Sequence, residues 1–275
     1  MDRIAGTVAS PDGTSLAFDR IGSGPPLVLI DAAGHYRAFS SFDGLIEPLG
    51  EHFTVYHYDR RGRGQSTDTA PYAVAREVED LASLIADGGG SAFLYGFLSG
   101  ALVALHAAAS GVPIAKLAVL EPPIAPPESV EAQAAFTAEL VALLAGGQRD
   151  AAVEHFLSMV PDEILAEMRT SPSWAAMEAV ADTFVYDCLI SEATSPALLA
   201  SITVPTLVID STGSDGELGE MAAAVADTLP NAIRLTLPGG WHGVDDEVLA
   251  ANLVAFFSTS ERTEDHRVVS EEGRR

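Results

Sequence analysis

Only one cysteine, Cys188, occurs in the 275 residues, so no disulfide can form within the chain. Its flanks, Tyr186-Asp187 and Leu189-Ile190, read as a helix interior, which makes it a small core residue. Positive charge is scarce: 15 Lys and Arg face 39 Asp and Glu, a formal net charge of −24. Such a surface repels nucleic acid and anionic membranes, so neither is an expected partner, and the acid excess reads as a solubility feature. No apolar run approaches the roughly 20 residues that cross a bilayer. Residues 1–24 alternate polar and apolar around Pro11-Asp12-Gly13, the pattern of a β-hairpin and not of a signal peptide. A cytoplasmic location is expected. Metal-ligand spacings, phosphate loops and dinucleotide fingerprints are also missing, and Gly88-Gly89-Gly90 is a bare turn. No cofactor and no metal are expected.

The most informative absence is a hydroxyl at position 98. The run Phe93-Leu94-Tyr95-Gly96-Phe97-Leu98-Ser99-Gly100-Ala101 joins an apolar strand, Ala92–Tyr95, to an Ala/Leu-rich helix reaching Ala109. Glycines two before and two after a central residue mark a nucleophile elbow, a strained strand-to-helix turn that exposes its central side chain. Gly96 and Gly100 fit that spacing only with Leu98 at the centre. A hydrocarbon has no lone pair, so no acyl-enzyme can form there. Centring the turn on Ser99 instead would put Phe97 where no side chain fits. Ser99 is therefore expected to open the helix with a capping hydrogen bond.

What is present is a chain with 48% hydrophobic residues, enough for a large core. Strands are expected at Ile4–Ala9, Ser15–Ile21, Pro26–Asp31, Phe53–Tyr58, Ala92–Tyr95, Ala115–Leu120, Thr206–Asp210 and Ile233–Leu237. Helices are expected at Ser40–Leu49, Tyr72–Asp87, Leu98–Ser110, Gly216–Leu229 and Asp245–Phe257. In the second of these, Val74, Val78, Leu81 and Ile85 fall on one face. Strand–helix alternation implies an α/β fold with a mostly parallel sheet and helices on both faces. The alternation stops between Ile124 and Ala200. There, segments near Ser129–Ala145, Asp150–Val160, Asp162–Arg169 and Ser173–Leu189 read as amphipathic helices, with twelve acidic and two basic residues over 124–200. The predicted organisation is a core of residues 1–123 and 201–258, a helical cap of 124–200 and a frayed charged tail of 259–275.

These features resemble the α/β-hydrolase fold superfamily. The likeness runs roughly from Gly6 to Phe257. It rests on the strand Leu27–Asp31, the turn Asp59-Arg60-Arg61-Gly62-Arg63-Gly64-Gln65-Ser66, the elbow Gly96–Gly100 and the late Gly239-Gly240-Trp241-His242. The resemblance implies that His242 is the general base, with Asp215 its first-ranked acid and Asp210 and Glu121 the alternatives. It also implies that Leu98, Ser99, Asp31, Ala32, His35, Tyr36, Phe97, Trp174 and Trp241 meet the substrate. Asp31 stands where a His-Gly usually helps hold an oxyanion, and is expected at the pocket mouth as a proton acceptor. His57 and His106 are expected in the core, and Arg60, Arg61 and Arg63 to tie their turn together through carboxylates. Of the cap residues Phe136, Phe156, Met159, Trp174, Met177, Phe184 and Tyr186, a few should face an apolar pocket. The expected function is acid/base chemistry on an apolar small molecule without a covalent intermediate: lyase, cyclisation, dehydration or direct water attack. The alternatives are an ordinary serine hydrolase acting through Ser99 or an altered elbow, and a ligand-binding pseudoenzyme. A homodimer is left open.

Overall fold

The computed structural model describes residues 1–124, 129–214 and 216–259. Asp215 and the expected tail from residue 260 onward lie outside the described residues. β1 (Arg3–Ala9) and β2 (Ser15–Gly22) pair antiparallel around the Pro11-Asp12-Gly13 turn. They extend a sheet made with β3 (Pro26–Ile30), β4 (Thr54–Tyr58), β5 (Ala92–Phe97), β6 (Ile114–Leu120), β7 (Thr206–Ser211) and β8 (Ala232–Leu237). The strand order is β1-β2-β4-β3-β5-β6-β7-β8, with every pairing from β4 to β8 parallel. The chain steps from β3 outward to β4 on one side and to β5 on the other. That reversal opens a crevice at the carboxyl ends of the strands, where ligands bind in such sheets.

The near-continuous apolar run of β3 follows from burial on both faces. Val28 and Ile30 join a core under α2 (Val74–Asp87), α3 (Ser99–Ala109) and α10 (Glu217–Thr228). Leu27 and Leu29 join the opposite core, under α1 (Asp43–Gly50) and α11 (Asp246–Ser258). α3 is the most enclosed helix: every residue from Ser99 to Ala108 is buried. His57 and His106 are buried as expected of core histidines, the first against Ser40 Oγ at 3.0 Å and the second against Thr194 Oγ1 at 3.1 Å.

Between β6 and β7 stand α4 (Val130–Ala145), α5 (Arg149–Phe156), α6 (Asp162–Thr170), α7 (Pro172–Ala179), α8 (Phe184–Ala193) and α9 (Pro196–Ala200). These helices bury their own cluster, including Leu140, Val153, Trp174, Phe184 and Cys188. The expected single helix Ser173–Leu189 is in fact two. It breaks at Val180, and one 3-10 turn, Ala181–Thr183, separates α7 from α8. The break has a partner: Thr183 Oγ1 donates to the Val180 carbonyl at 2.8 Å and accepts from Arg63 Nε at 3.1 Å.

Arg63 belongs to the arginine turn after β4, the densest charge cluster of the fold. Arg60, Arg61 and Arg63 are at most 2% exposed. Arg60 forks onto Glu77 of α2 at 2.6 and 2.9 Å and reaches Asp187 of α8 at 2.8 Å. Arg63 meets the other Asp187 oxygen at 2.6 Å, and Arg61 takes Asp80 of α2 and Asp12. The face of α2 that periodicity marks as apolar therefore also buries Glu77 and Asp80. Burial opposes ionisation of Asp187, but the charges of Arg63 and Arg60, with hydrogen bonds from Ser99 and Arg60, hold its carboxyl below the usual range.

Removing one member of a buried ionic cluster strands the others in low dielectric. Asp187→Ala is expected to cost about 3–5 kcal/mol in denaturant unfolding. The folded value of Asp187 lies below the unfolded one. Its contribution is therefore full above about pH 4 and fades as pH falls through the folded value. The difference between the native chain and Asp187→Ala should accordingly shrink in acid.

Candidate active site

Leu98 sits between β5 and α3 with φ 48° and ψ −120°. Close packing enforces this bend. A Cβ on Gly96 would fall 2.6 Å from Ala101 Cα, and one on Gly100 would fall 2.1 Å from the Ile30 carbonyl oxygen. The turn is tied to the next strand by Leu98 N–H donating to the Leu120 carbonyl at 3.0 Å. Three non-glycine residues among those described have positive φ: Leu98, Glu121 (49°) and His242 (52°). Each such conformation costs of order 1–3 kcal/mol and persists only where its surroundings over-determine it. That these three converge on one place marks it as the built site of the fold.

Glu121 follows β6 and is fully buried. One carboxylate oxygen accepts the Ser211 N–H at 3.0 Å, and the other pairs with His242 Nδ1. Burial alone would raise the Glu121 carboxyl. Hydrogen bonds from His242, Ser214 and the Ser211 backbone, together with the His242 charge, outweigh it and lower the value. A carboxylate only accepts, so Nδ1 carries a proton, and in the neutral imidazole Nε2 keeps its lone pair. The His242 N–H donates to Ser214 Oγ at 3.0 Å, and a short hairpin of β9 (Gly239–Gly240) with β10 (Gly243–Val244) brackets the residue. Trp241 packs on the imidazole at 3.9 Å between ring centroids, and Phe97 stands edge-on at 6.2 Å. Asp210, the other alternative, holds Arg234 and Thr236 and plays no part here.

Leu98 and His242 share a cavity of about 670 Å³ with Ser99, Phe97, Trp241, Ala32, Ala33 and His35. The helical insertion adds Phe156, Leu157, Met159, Val160, Met168 and Met177, and α10 adds Leu218 and Met221. Four of the five methionines in the chain line this space. Thioether side chains adapt to irregular apolar ligands. The sequence reading named Met159 and Met177 but had no signal for Met168 or Met221, which depend on how α6 and α10 lie over the sheet.

Other expected site residues are placed differently. Ser99 opens α3 but makes no capping bond. The residue lines the cavity, but its hydroxyl accepts from Arg60 Nη1 at 3.3 Å, in the ionic cluster. Asp31 does not reach the cavity, because its oxygens are saturated by Ala32 N–H, Ser40 Oγ and Ser41 N–H at 2.8–3.1 Å. It anchors the loop after β3 and is no proton acceptor for a ligand. Tyr36 turns away into a bridge with Phe39. Trp174 lies inside the insertion, with Nε1 donating to Asp150 at 2.8 Å and Arg169 over its ring. Phe136, Phe184 and Tyr186 also miss the cavity. Ala32 N–H is spent on Asp31, whereas Ala33 N–H donates to nothing among the described residues. With the first-turn N–H of Ser99, it leaves two donors at the cavity wall.

The chain matches the model of the alpha/beta hydrolase family over residues 14–251. A structure of an alpha/beta hydrolase from Sphaerobacter thermophilus is 46% identical, covers 92% of this chain and 100% of its own, and superposes with a TM-score of 0.84. A hydrolase from Pseudomonas aeruginosa (23% identity, 93% and 98% coverage, TM-score 0.76) shares the fold. So does an enol-lactonase from Burkholderia xenovorans (21%, 92% and 100%, TM-score 0.69). This chain belongs to the alpha/beta hydrolase family, and Leu98 stands at its β5–α3 bend.

If the bend still presents its central side chain to the base, a hydroxyl there should become reactive. Leu98→Ser is expected to gain a fluorophosphonate adduct, read by intact mass, that the native chain lacks. The double variant with His242→Ala should lose it.

Proposed function

We propose that this member of the family is an enzyme that processes an apolar carbonyl compound by moving a proton through His242, with no enzyme-linked intermediate. The observation that carries this reading is the His242–Glu121 pair beside a hydrocarbon at position 98. With Nδ1–H committed to Glu121, Nε2 removes a proton from the carbon next to the substrate carbonyl. The electron pair moves onto the carbonyl oxygen, which takes hydrogen bonds from Ser99 N–H and Ala33 N–H. The imidazolium, held by Glu121, then returns the proton to a leaving group or to another carbon. Lyase, dehydration and isomerising cyclisation steps all follow this course. Direct water attack uses the same base, but Leu98 puts hydrocarbon where a nucleophilic water would be oriented, which favours carbon-acid chemistry. The insertion serves as the cap over the pocket in this reading. Ser99 is disfavoured as nucleophile because its hydroxyl is engaged by Arg60. A second reading, binding without turnover, is favoured by Leu98 itself.

The test is a panel of apolar ketones, β-hydroxy ketones, enol-lactones and aryl esters, the last two chosen for the names of the relatives. Turnover of the best compound should fall about 10²–10⁴-fold in His242→Ala, and by less in Glu121→Gln. Equal rates in the native chain and His242→Ala would remove the proton-transfer role. Saturable binding with no product from any compound would favour the binder, and a covalent adduct on a native serine would restore the ordinary hydrolase.

A further inference from the structure

We propose that the end of the cavity between α1 and α11 is a subsite for a primary ammonium group carried on an apolar body. This rests on the reading of the cavity as a small-molecule site and adds the charge class of the molecule. Three residues that carry side-chain oxygens line this end: Ser41, Tyr95 and Asp246. None of those oxygens has a hydrogen-bond partner among the described residues. Tyr95 is the telling one. It is 1% exposed, its ring packs on Phe42 at 5.6 Å, and it lines the cavity. A hydroxyl buried so deeply ordinarily has a partner, and here the cavity is what it faces.

Asp246 opens α11, yet the capping is done by Asp245, which accepts Glu247 N–H at 3.0 Å and Val248 N–H at 3.1 Å. The Asp246 side chain makes no cap bond; it stands exposed at the rim of the cavity, against α1. A Cβ on Gly44 would come within 1.8 Å of its Oδ2, so the oxygen lies on the Gly44 Cα. Burial, with Asp245 and Asp43 nearby, pushes this carboxyl up. Among the described residues no Lys or Arg offsets the three acids. An ammonium brings three N–H donors and no acceptor, which matches three accepting oxygens. A neutral hydroxyl would bring a single donor and no charge to meet the carboxylate. The apolar remainder of such a molecule would lie along Leu45, Phe97, Leu98 and the methionines.

The experiment is calorimetric titration of the full chain with phenylbutylamine, phenylbutanol and butylbenzene. The amine should bind at least about tenfold tighter than the alcohol. Asp246→Asn should bring it to the level of the alcohol, and Tyr95→Phe should weaken it several-fold. Gly44→Ala is the sharper variant: it keeps all three oxygens and a helical backbone but expels the carboxylate, and should also lose the preference. Circular dichroism and melting curves confirm that each variant is folded. If amine and alcohol bind equally to the native chain, or the preference survives Asp246→Asn, the subsite is wrong while the small-molecule reading stands. If none of the three probes binds, both fail.

Discussion

Everything at the site depends on one steric constraint: the β5–α3 bend is so tightly packed that Gly96 and Gly100 have no room for a Cβ. The bend forces residue 98 into a left-handed backbone and projects its side chain into the crevice. That geometry is independent of the side chain's chemistry. A leucine carries the strain as a serine would, and gains apolar contact with Phe97 and the cavity in place of reactivity. The same left-handed backbone at Glu121 and His242 shows that the fold still supports all three positions.

The bend was legible in the sequence because close packing admits only glycine at two fixed offsets, and a positional rule of that kind survives without coordinates. The strand and helix order was legible because the parallel strands are short apolar runs and most of their helices keep a polar face, α3 excepted. The partner of His242 was not. Asp215 and Glu121 both follow strands, and the choice depends on where a left-handed turn at residue 121 aims its carboxylate, which no periodicity encodes. Likewise, the sequence marks Ser99 as a helix opener but not the Arg60 guanidinium that claims its hydroxyl across 39 residues. The split of the α7–α8 region is invisible for a similar reason. The break is met by a hydrogen bond from Arg63, 120 residues away.

Charge and apolarity are sharply partitioned in this molecule. The surface is strongly acidic, the arginines of the turn are buried and matched, and the crevice is lined chiefly by hydrocarbon and thioether. The residues with polar side chains that line the crevice are few: His242, Trp241, His35, Ser99, Ser41, Tyr95 and Asp246. Their scarcity makes each one an orienting contact, since a ligand has little else to satisfy its own polar atoms.

The Arg63 guanidinium has a last consequence, for motion. It donates to the Ala32 carbonyl at 2.7 Å and to Asp187 of α8 at 2.6 Å. One side chain thereby rivets the loop after β3 to the helical insertion. Swinging the whole insertion outward as a lid would tear opposite charges apart inside the protein, where water cannot replace them. α6 is different: it buries none of its residues, and Met159 just before it is 73% exposed. Local opening is therefore least costly at the α5–α6 corner, where the least is buried, while Arg63 holds α8 to the loop after β3.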